Sequence, residues 1–384
     1  MTKKVAVFTA TRAEYGLLYW LLHDIKADAD LQLQLVVSGS HLSPEFGNTY
    51  QQIVADGFDI SDKIEILLSS DSSVGTVKSM GLALIGLADS LSRLQPDVLV
   101  LLGDRFEALA AAQTAMLMKI PVLHLHGGEI SEGAADDAIR HAITKLSYLH
   151  ATATEAYRQR VIQLGEAPER VHNVGALGLE HLLRSPLLSR TQLAEALKFS
   201  LKQPYFIVTY HPVTLAAEPA QASFDALLSA LDQYPQYQLI FTYPNADEGG
   251  RQIIDCLQRY ASAQPERVLA IPSLGIQRYL SAVKYATAVI GNSSSGIIEV
   301  PAFNVPTVNI GSRQQGRLAA GSVLHCTPTE SAISDCIAKA IARPQWDGKN
   351  PYGQGDTSKK IIQMIKRFTF NPVKTFYDLP GAST

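Results

Sequence analysis

Short apolar runs alternate along the chain with longer segments whose apolar residues recur at helical spacing. This alternation is typical of a parallel β-sheet covered by helices on both faces. In the first half, the pattern predicts strands at residues 5–10, 31–37, 64–67, 98–102, 122–126 and 150–154. The helices predicted between them are 17–25, 46–55, 74–94, 108–118, 136–146 and 155–164.

The same alternation returns in the second half of the chain. Strands are predicted there at residues 205–209, 238–242, 268–271, 286–290 and 307–310. The repetition predicts an α/β fold of two Rossmann-like, doubly wound domains that face each other across a cleft. We place the first domain at 1–173, the second at 174–356, and a C-terminal helix and tail that cross back to the first at 357–384.

Composition excludes several classes of protein. The chain has 384 residues, of which 46% are apolar, so it can build two large cores. A net charge of −3 gives no reason to expect nucleic acid or an anionic membrane as a partner. The N-terminal apolar run is short and is predicted to be the first strand, and no apolar run approaches membrane-spanning length, so we expect a cytoplasmic protein.

The three cysteines lie far apart without a C-x-x-C pair, which argues against both a disulfide framework and a zinc site. No other cluster of ionisable side chains has the spacing of a metal site, so we predict no metal. The loop after the first strand has no G-x-G-x-x-G turn, and a nicotinamide cofactor is therefore not expected.

Residues 289–300 contain a buried strand, a small polar turn and the start of a helix. Ser293 and Ser294 supply hydroxyl and backbone N–H groups at the predicted helix N-terminus, which is typical of an anion site. Glu299 follows within the same helix, where it can bind ribose hydroxyls. The alternative is a serine-rich helix cap with a solvated glutamate.

Other polar loops follow the predicted strands, and in parallel sheets such loops hold the ligands. Arg12 follows the first strand and suits a phosphate, although a surface salt bridge with Glu14 would also explain it. In the second half, His211, Asn245, Asp247 and Arg313 lie in loops of this kind. The second half is therefore predicted to hold a nucleotide.

A dense group of ionisable residues follows the fourth and fifth strands. His126, Glu129, Asp136 and Arg140 fall within sixteen residues, beside a Gly-Gly pair that lets backbone approach a ligand. Asp136 and Arg140 have the spacing of a plain ion pair on one helix face. Asp104 would cap the next helix, which alone explains an aspartate there. We predict a reaction centre that these residues form with Asp104.

Several motifs then occur in one order along the whole chain. They are residues 9–16, Ser38-Gly-Ser-His-Leu42, Gly103-Asp-Arg-Phe-Glu107, His124-Leu-His-Gly-Gly-Glu129, Arg140-His-Ala-Ile-Thr-Lys145, His211-Pro212, residues 291–299 and Gly311-Ser-Arg-Gln314. Together they resemble the hydrolysing UDP-N-acetylglucosamine 2-epimerases, and most closely the bacterial sialic-acid-pathway type. That family has the two-domain fold called GT-B and forms UDP and N-acetylmannosamine from UDP-N-acetylglucosamine and water, without cofactor or metal.

The resemblance implies a mechanism and a set of residues. In the family, a base removes the C2 proton while UDP leaves C1, and water then adds to the resulting 2-acetamidoglucal with protonation of C2 on the other face. The predicted catalytic residues are Asp104, His126, Glu129, Asp136, Arg140 and His211, the last at a phosphate-side position. The predicted nucleotide-binding residues are Arg12, Arg105, Asn245, Asp247, Ser293, Ser294, Glu299 and Arg313.

His126 stands where some relatives carry a catalytic glutamate, so the second acid/base is open among His126, Glu129 and Asp136. We favour Glu129 for one proton transfer and Asp104 for the other. Four alternatives remain: a 2,4-diacetamido-6-deoxy sugar as substrate, a non-hydrolysing epimerase, a glycosyltransferase of the same fold, and an inactive nucleotide-sugar sensor. By resemblance, a homodimer is expected, and the apolar stretch 80–88 is a candidate interface.

Overall fold

The structure is a computed structural model that describes residues 2–68, 72–130, 135–212, 220–244, 250–342 and 349–381. The chain divides into two compact units. Unit 1 comprises Met1–Ile130, Ala134–Glu180 and Gly355–Thr384, and unit 2 comprises Ser131–Gly133 and His181–Gln354. Residues 174–180, which we assigned to the second domain, thus belong to unit 1.

In the described residues of unit 1, seven parallel strands form one sheet in the order β3-β2-β1-β4-β5-β6-β7. They are β1 Lys3–Thr9, β2 Leu31–Ser38, β3 Ile60–Ile64, β4 Val98–Leu102, β5 Val122–Leu125, β6 Leu149–Thr152 and β7 Val171–Asn173. The helices are α1 Arg12–Ala27, α2 Tyr50–Ala55, α3 Ser73–Leu94, α4 Phe106–Leu117, α5 Ala135–Leu146 and α6 Glu155–Gln163. The central strands are buried on both faces, which is why they are continuous apolar runs.

Unit 2 repeats this architecture with six parallel strands among its described residues, in the order β10-β9-β8-β11-β12-β13. They are β8 Tyr205–Thr209, β9 Gln238–Thr242, β10 Val268–Ile271, β11 Ala288–Gly291, β12 Thr307–Ile310 and β13 Val323–Cys326. The helices are α7 Glu180–Arg184, α8 Arg190–Leu197, α9 Ala220–Asp232, α10 Gly250–Ala263, α11 Gly275–Tyr285, α12 Ser295–Ile298 and α13 Glu330–Ile341. The unit boundary falls inside α7. The predicted class, α/β with two Rossmann-like doubly wound sheets, is confirmed.

The last helix, α14 Thr357–Arg367, returns the chain to unit 1. Its residues Ile361 and Ile365 are buried in the same core as Leu18 and Leu22 of α1. Lys3 adds a hydrogen bond of 2.8 Å from its Nζ to the Ile365 carbonyl. The helix is therefore part of the core of unit 1.

Two strand predictions were wrong in the first half. The third strand is Ile60–Ile64 and not 64–67, because this edge strand alternates exposed and buried residues instead of forming an apolar run. The short edge strand β7 was missed, and in the second half so was β13. Edge strands bury only part of their surface, and the apolar signal that identifies a central strand is weak there.

Among the described residues, one helix is long and apolar enough to cross a membrane by length and composition, namely α3. The expectation that no apolar run approaches that length was therefore wrong. In this structure, however, Ala83, Leu87 and Leu91 of α3 are buried in the core of unit 1 together with Ile64 of β3. Core helices of soluble proteins pass the same length test, so α3 is weak evidence for a membrane span.

Candidate functional site

The order of strands in each sheet shows where a ligand would bind. In unit 1 the order reverses between β1 and β4, and in unit 2 it reverses between β8 and β11. Ligands of doubly wound sheets bind outside the carboxyl ends of the strands at such a switch point. The loops that follow these four strands carry Arg12, Asp104, His211 and Ser293.

Arg140 of α5 joins three segments at the switch point of unit 1. Its guanidinium is 3% exposed and forms a salt bridge through Nη2 with Asp104. Its Nη1 donates to the Glu129 carbonyl at 2.9 Å and to Asp137 Oδ1 at 3.2 Å. One buried cation therefore holds the loop after β4 and the loop after β5 in a defined position.

This arrangement corrects one expectation, the helix cap at Asp104, and adds a further partner of Arg140 on its own helix. Asp104 does not cap the next helix, because the N-cap of α4 is Arg105 and makes no side-chain capping bond. Asp137 rather than Asp136 is the helix neighbour whose contact with Arg140 is defined here, at a spacing of three residues. Asp136 lies in the first turn of α5 with an exposed side chain.

His126 and Glu129 form a second pair in the loop after β5. His126 Nδ1 lies 2.9 Å from Glu129 Oε1, and both side chains are largely buried. The backbone N–H of Leu177 lies 3.5 Å from the other ring nitrogen, Nε2. If Nε2 accepts that bond, Nδ1 carries the hydrogen and donates it to the Glu129 carboxylate.

The backbone at His126 is unusual. The predicted strand 122–126 ends one residue early, at Leu125, and His126 has φ +65°. Residues other than glycine adopt this left-handed conformation uncommonly, and histidine is one of the types that do so more often than most. The turn directs the imidazole toward Glu129 and Leu177.

One glycine of the Gly-Gly pair has a packing role. Gly128 has φ +78°, and a Cβ atom there would lie 2.4 Å from the carbonyl oxygen of Tyr157. The carbonyl of Gly128 in turn accepts a hydrogen bond of 2.5 Å from Arg160 Nη1. Close packing against α6 therefore requires a glycine at position 128, and the approach of a ligand to this pair stays a prediction.

The phosphate-side residues of unit 1 lie around two glutamates, the buried Glu107 and the partly buried Glu14. Arg105 donates from Nε and Nη2 to the buried Glu107 carboxylate, both at 3.1 Å. Glu14 Oε2 accepts from the backbone N–H groups of Ala10 at 2.7 Å and Thr11 at 3.2 Å. Glu14 thus closes the capping box of α1, whose first residue is the exposed Arg12.

We expect that Glu14→Gln flattens the dependence of stability on pH. Burial raises the pKa of the Glu14 carboxyl from 4.5 to about 7. This group favours the fold fully below pH 4.5, and the wild type loses that contribution, about 1 to 3 kcal/mol, as pH rises through 7. Glutamine keeps an acceptor oxygen but does not titrate.

Urea unfolding between pH 4.5 and 8 measures this effect as a difference between variant and wild type. Glu45→Gln is the control, since Glu45 is exposed. A difference between E14Q and wild type that stays constant across the range would contradict the prediction.

In unit 2, Asn292 joins the loops after β8, β11 and β12. Its side chain accepts from the His211 N–H at 2.7 Å and donates to the His211 carbonyl at 2.8 Å. Its own carbonyl accepts from Arg313 Nη1 at 3.0 Å and from Gln314 Nε2 at 2.9 Å. Burial, with Arg313 nearby, lowers the pKa of His211 to about 4, so the ring is neutral near pH 7.

The serine turn follows a strand and precedes a helix, as predicted. The helix is shorter than expected. Ser293 and Ser294 are partly buried, and α12 comprises only Ser295–Ile298. Glu299 ends this single turn, and a 3-10 helix begins at Val300. The expected helix dipole is therefore weak, and anion binding here would depend on individual hydroxyl and N–H groups and on Arg313.

Not every predicted residue can be placed. Asn245 and Asp247 lie outside the described residues. In the described part of the chain, no group of three or more His, Cys, Asp or Glu side chains is placed to hold a metal ion.

Four side chains hold the predicted ones in position, a role that sequence reasoning did not assign to them. They are Glu107, Asp137, Asn292 and Gln314. Glu107 and Asp137 were detectable, since each lies two or three residues from an arginine that was already predicted. The partners of Asn292 are distant in sequence, 81 residues away in the case of His211, so no local signal reveals them.

Comparison with known proteins agrees with this picture. The family model for UDP-N-acetylglucosamine 2-epimerase matches residues 23–366. The GDP/UDP-N,N'-diacetylbacillosamine 2-epimerase (hydrolyzing) of Campylobacter jejuni is 44% identical over 87% of this chain and 85% of its own length. The polysialic acid biosynthesis protein P7 of Escherichia coli is 37% identical over 100% of this chain and 99% of its own length.

Among solved structures, the UDP-GlcNAc 2-epimerase from Neisseria meningitidis, crystallised with UDP-GlcNAc, has a TM-score of 0.80. The match covers 96% of this chain and 100% of that one, at 17% identity. At this identity, the likeness shows the fold alone, and it confirms the GT-B type.

Proposed function

The chain belongs to the UDP-N-acetylglucosamine 2-epimerase family and is an enzyme of its hydrolysing kind, and we propose that it converts a UDP-linked 2-acetamido sugar and water to UDP and the free 2-epimer. One observation carries the proposal. A single buried arginine, Arg140, orients both the Asp104 carboxylate and the Glu129 loop at the switch point of unit 1. Two acid/base groups held in fixed positions are what a proton removal and a proton delivery require.

In the first step, a base removes the proton from C2 as the bond from C1 to the diphosphate oxygen breaks. The products are UDP and a 2-acetamidoglucal. In the second step, the oxygen of water bonds to C1 and C2 receives a proton on the opposite face. We assign Asp104 to one proton transfer and Glu129 to the other.

His126 supports Glu129 in this assignment. Its hydrogen bond of 2.9 Å fixes the orientation of the Glu129 carboxylate. Asp136 is exposed in the structure, which favours Glu129 over it for the second proton transfer.

The leaving diphosphate needs positive charge and hydrogen-bond donors. We assign this role to Arg12 and Arg105 in unit 1 and to Ser293, Ser294 and Arg313 in unit 2. His211 is neutral near pH 7, so it would act as a hydrogen-bonding partner and not as a fixed cation. Glu299 is assigned to the ribose hydroxyls, and Asn245 and Asp247 to the nucleotide.

For the sugar, we propose UDP-N,N'-diacetylbacillosamine, a 2,4-diacetamido-6-deoxy sugar, because a relative that is 44% identical carries this substrate in its name. UDP-N-acetylglucosamine, the substrate expected from sequence, is the second candidate. It is favoured by the 37% identity, over the whole chain, to a protein named for polysialic acid biosynthesis. Either activity would place the enzyme in the cytoplasm.

Proton NMR in D₂O with EDTA tests the reaction and the sugar together. We expect free UDP and a free 2-epimer with deuterium at C2, and a kcat/KM at least about tenfold higher for the diacetamido sugar, since loss of one matched polar contact has about this effect. A preference for UDP-N-acetylglucosamine would select the second candidate. A UDP-linked epimer as product, or no turnover of either sugar, would contradict the proposal.

We also propose that the enzyme is a homodimer that pairs through α3. Val74, Val77 and Ile85 are 62%, 70% and 67% exposed and lie on one face of this helix. Size-exclusion chromatography with light scattering should show a dimer for wild type and a monomer for Val77→Glu/Ile85→Glu. Leu117→Glu, at the similarly exposed end of α4, is the control. A monomeric wild type at micromolar concentration would disprove pairing.

A further inference from the structure

Asn292 has an unusual set of contacts for a residue that directly follows a strand. It lies just beyond Gly291, the last residue of β11, and its side chain is fully buried. The amide group exchanges two hydrogen bonds with the backbone of His211, at 2.7 and 2.8 Å. Its backbone N–H adds a third, of 3.1 Å, to the carbonyl of Thr209. The loop after β8 is thereby held against the end of β11.

The close approach of these two strands depends on Gly291. This residue has φ +136°, and a Cβ atom there would lie 1.9 Å from the Thr209 carbonyl oxygen. Only glycine can therefore occupy the position. Because the two backbones approach so closely, the short side chain of Asn292 can reach both polar groups of His211.

The carbonyl of Asn292 connects the third loop. It accepts hydrogen bonds from Arg313 at 3.0 Å and from the buried Gln314 at 2.9 Å, and both residues follow β12. One residue thus sets the relative positions of three loops at the switch point of unit 2. Those loops carry His211, Ser293, Ser294 and Arg313.

We propose that Asn292 is a positioning residue for the nucleotide diphosphate, an inference that rests on the function proposed above. Asn292 orients the His211 ring and the Arg313 guanidinium so that they and the serine turn converge on one anion. Its neutral amide suits the role, because it supplies one acceptor and one donor to His211. An aspartate would lose the donor to the His211 carbonyl.

The experiment uses the full-length protein and two substitutions. Asn292→Asp keeps the shape of the side chain, and Asn292→Ser keeps its neutrality. Gln238→Glu is the matched control. Gln238 is a buried amide in the same unit and donates to the Ser200 and Glu266 carbonyls, but it lies at the amino end of β9, away from the loops that follow the carboxyl ends of the strands.

UDP affinity by calorimetry is the first readout. We expect N292D and N292S to bind UDP at least about tenfold more weakly than wild type. Q238E should bind UDP within about twofold of wild type. Its thermal stability should fall, because a buried amide is replaced by a carboxylate. Equal losses of affinity in Q238E and N292D would overturn the inference, because they would show a merely structural effect. So would wild-type affinity in both Asn292 variants.

The titration of His211 by NMR is the second readout, and it needs no nucleotide. We expect the pKa of His211, which burial lowers to about 4 in the wild type, to rise toward its ordinary value in N292S as the loop loosens. An unchanged pKa in folded N292S would overturn the positioning role. If N292S does not fold, the UDP affinity of N292D tests the positioning role instead.

A wild type that does not bind UDP would refute the proposed function. The His211 titration would still decide whether Asn292 positions this loop. The two failures are therefore distinguishable.

Discussion

Asp104→Asn is expected to lower kcat about 10²- to 10⁴-fold, the usual range for loss of a general acid or base. Asparagine has the shape of aspartate and can still accept a hydrogen bond from Arg140, so the loop should keep its position. An amide cannot take up or deliver the sugar proton, however. The variant should therefore bind UDP normally and fail in the chemical steps.

Asp137→Asn is the matched control for this experiment. Asp137 is the other carboxylate on Arg140, at 3.2 Å, and the proposed mechanism gives it no proton to transfer. We expect D137N to lose less than about tenfold in kcat, since Arg140 keeps its contacts with Asp104 and with the Glu129 carbonyl. Release of UDP and deuterium incorporation at C2 measure the two steps separately. Equal losses in D104N and D137N would assign Asp104 to positioning and not to proton transfer.

Glu166→Gln is expected to destabilise the protein by about 3 kcal/mol or more, the usual range for breaking a buried ion pair. Glu166 is fully buried and contacts Lys145 at 2.7 Å, Lys374 at 2.7 Å and His150 at 2.9 Å. Lys374 belongs to the C-terminal tail and also donates to the Ser147 carbonyl. A neutral amide would leave these donors without their charge partner and would loosen the tail.

The pH dependence of the stability loss in E166Q shows whether it comes from the ionised Glu166 carboxylate. Burial opposes ionisation of Glu166, but the contacts with His150 and the two lysines prevail and lower its pKa from 4.5 to about 2. The stabilisation is therefore present above pH 4.5 and is lost as pH falls toward 2. Urea unfolding of E166Q and wild type should show the full difference at pH 7 and a smaller one near pH 3.

Glu155→Gln is the control for this second prediction. Glu155 forms an ion pair with Arg158 on α6, and its side chain is 57% exposed. Exposed pairs of this kind contribute about 0 to 1 kcal/mol. If E166Q lowers the free energy of unfolding at pH 7 no more than E155Q does, the buried cluster around Glu166 does not stabilise the fold.

The sequence predicted the central strands well. Strands 98–102, 205–209, 238–242, 268–271 and 307–310 have the same bounds in the structure. Four of these are central strands, which are largely apolar because a central parallel strand is covered on both faces, and 268–271 is an edge strand of the second sheet. The edge strands β3, β7 and β13 were misplaced or missed, since their burial depends on neighbours that local sequence does not reveal.

The candidate site shows the same division. Loops at the ends of parallel strands can be identified from sequence, and the pattern alone therefore predicts Asp104, His126, Glu129, His211 and the serine turn as site residues. Their assignment to chemical roles remains a proposal. Local reasoning failed at Asp104, where it assumed a helix cap and the structure has a salt bridge with Arg140 instead.

The sequence by itself therefore determined the fold class, the positions of the central strands along the chain and the loops that carry the candidate chemistry, because burial and strand ends are visible in a one-dimensional pattern. The tertiary structure alone decided the contacts of each side chain. Arg140 contacts Asp104 across 36 residues, and Asn292 contacts His211 across 81. The physical reason is that hydrogen bonds and ion pairs depend on distances of a few ångströms, and only folding brings residues so far apart in sequence to such distances.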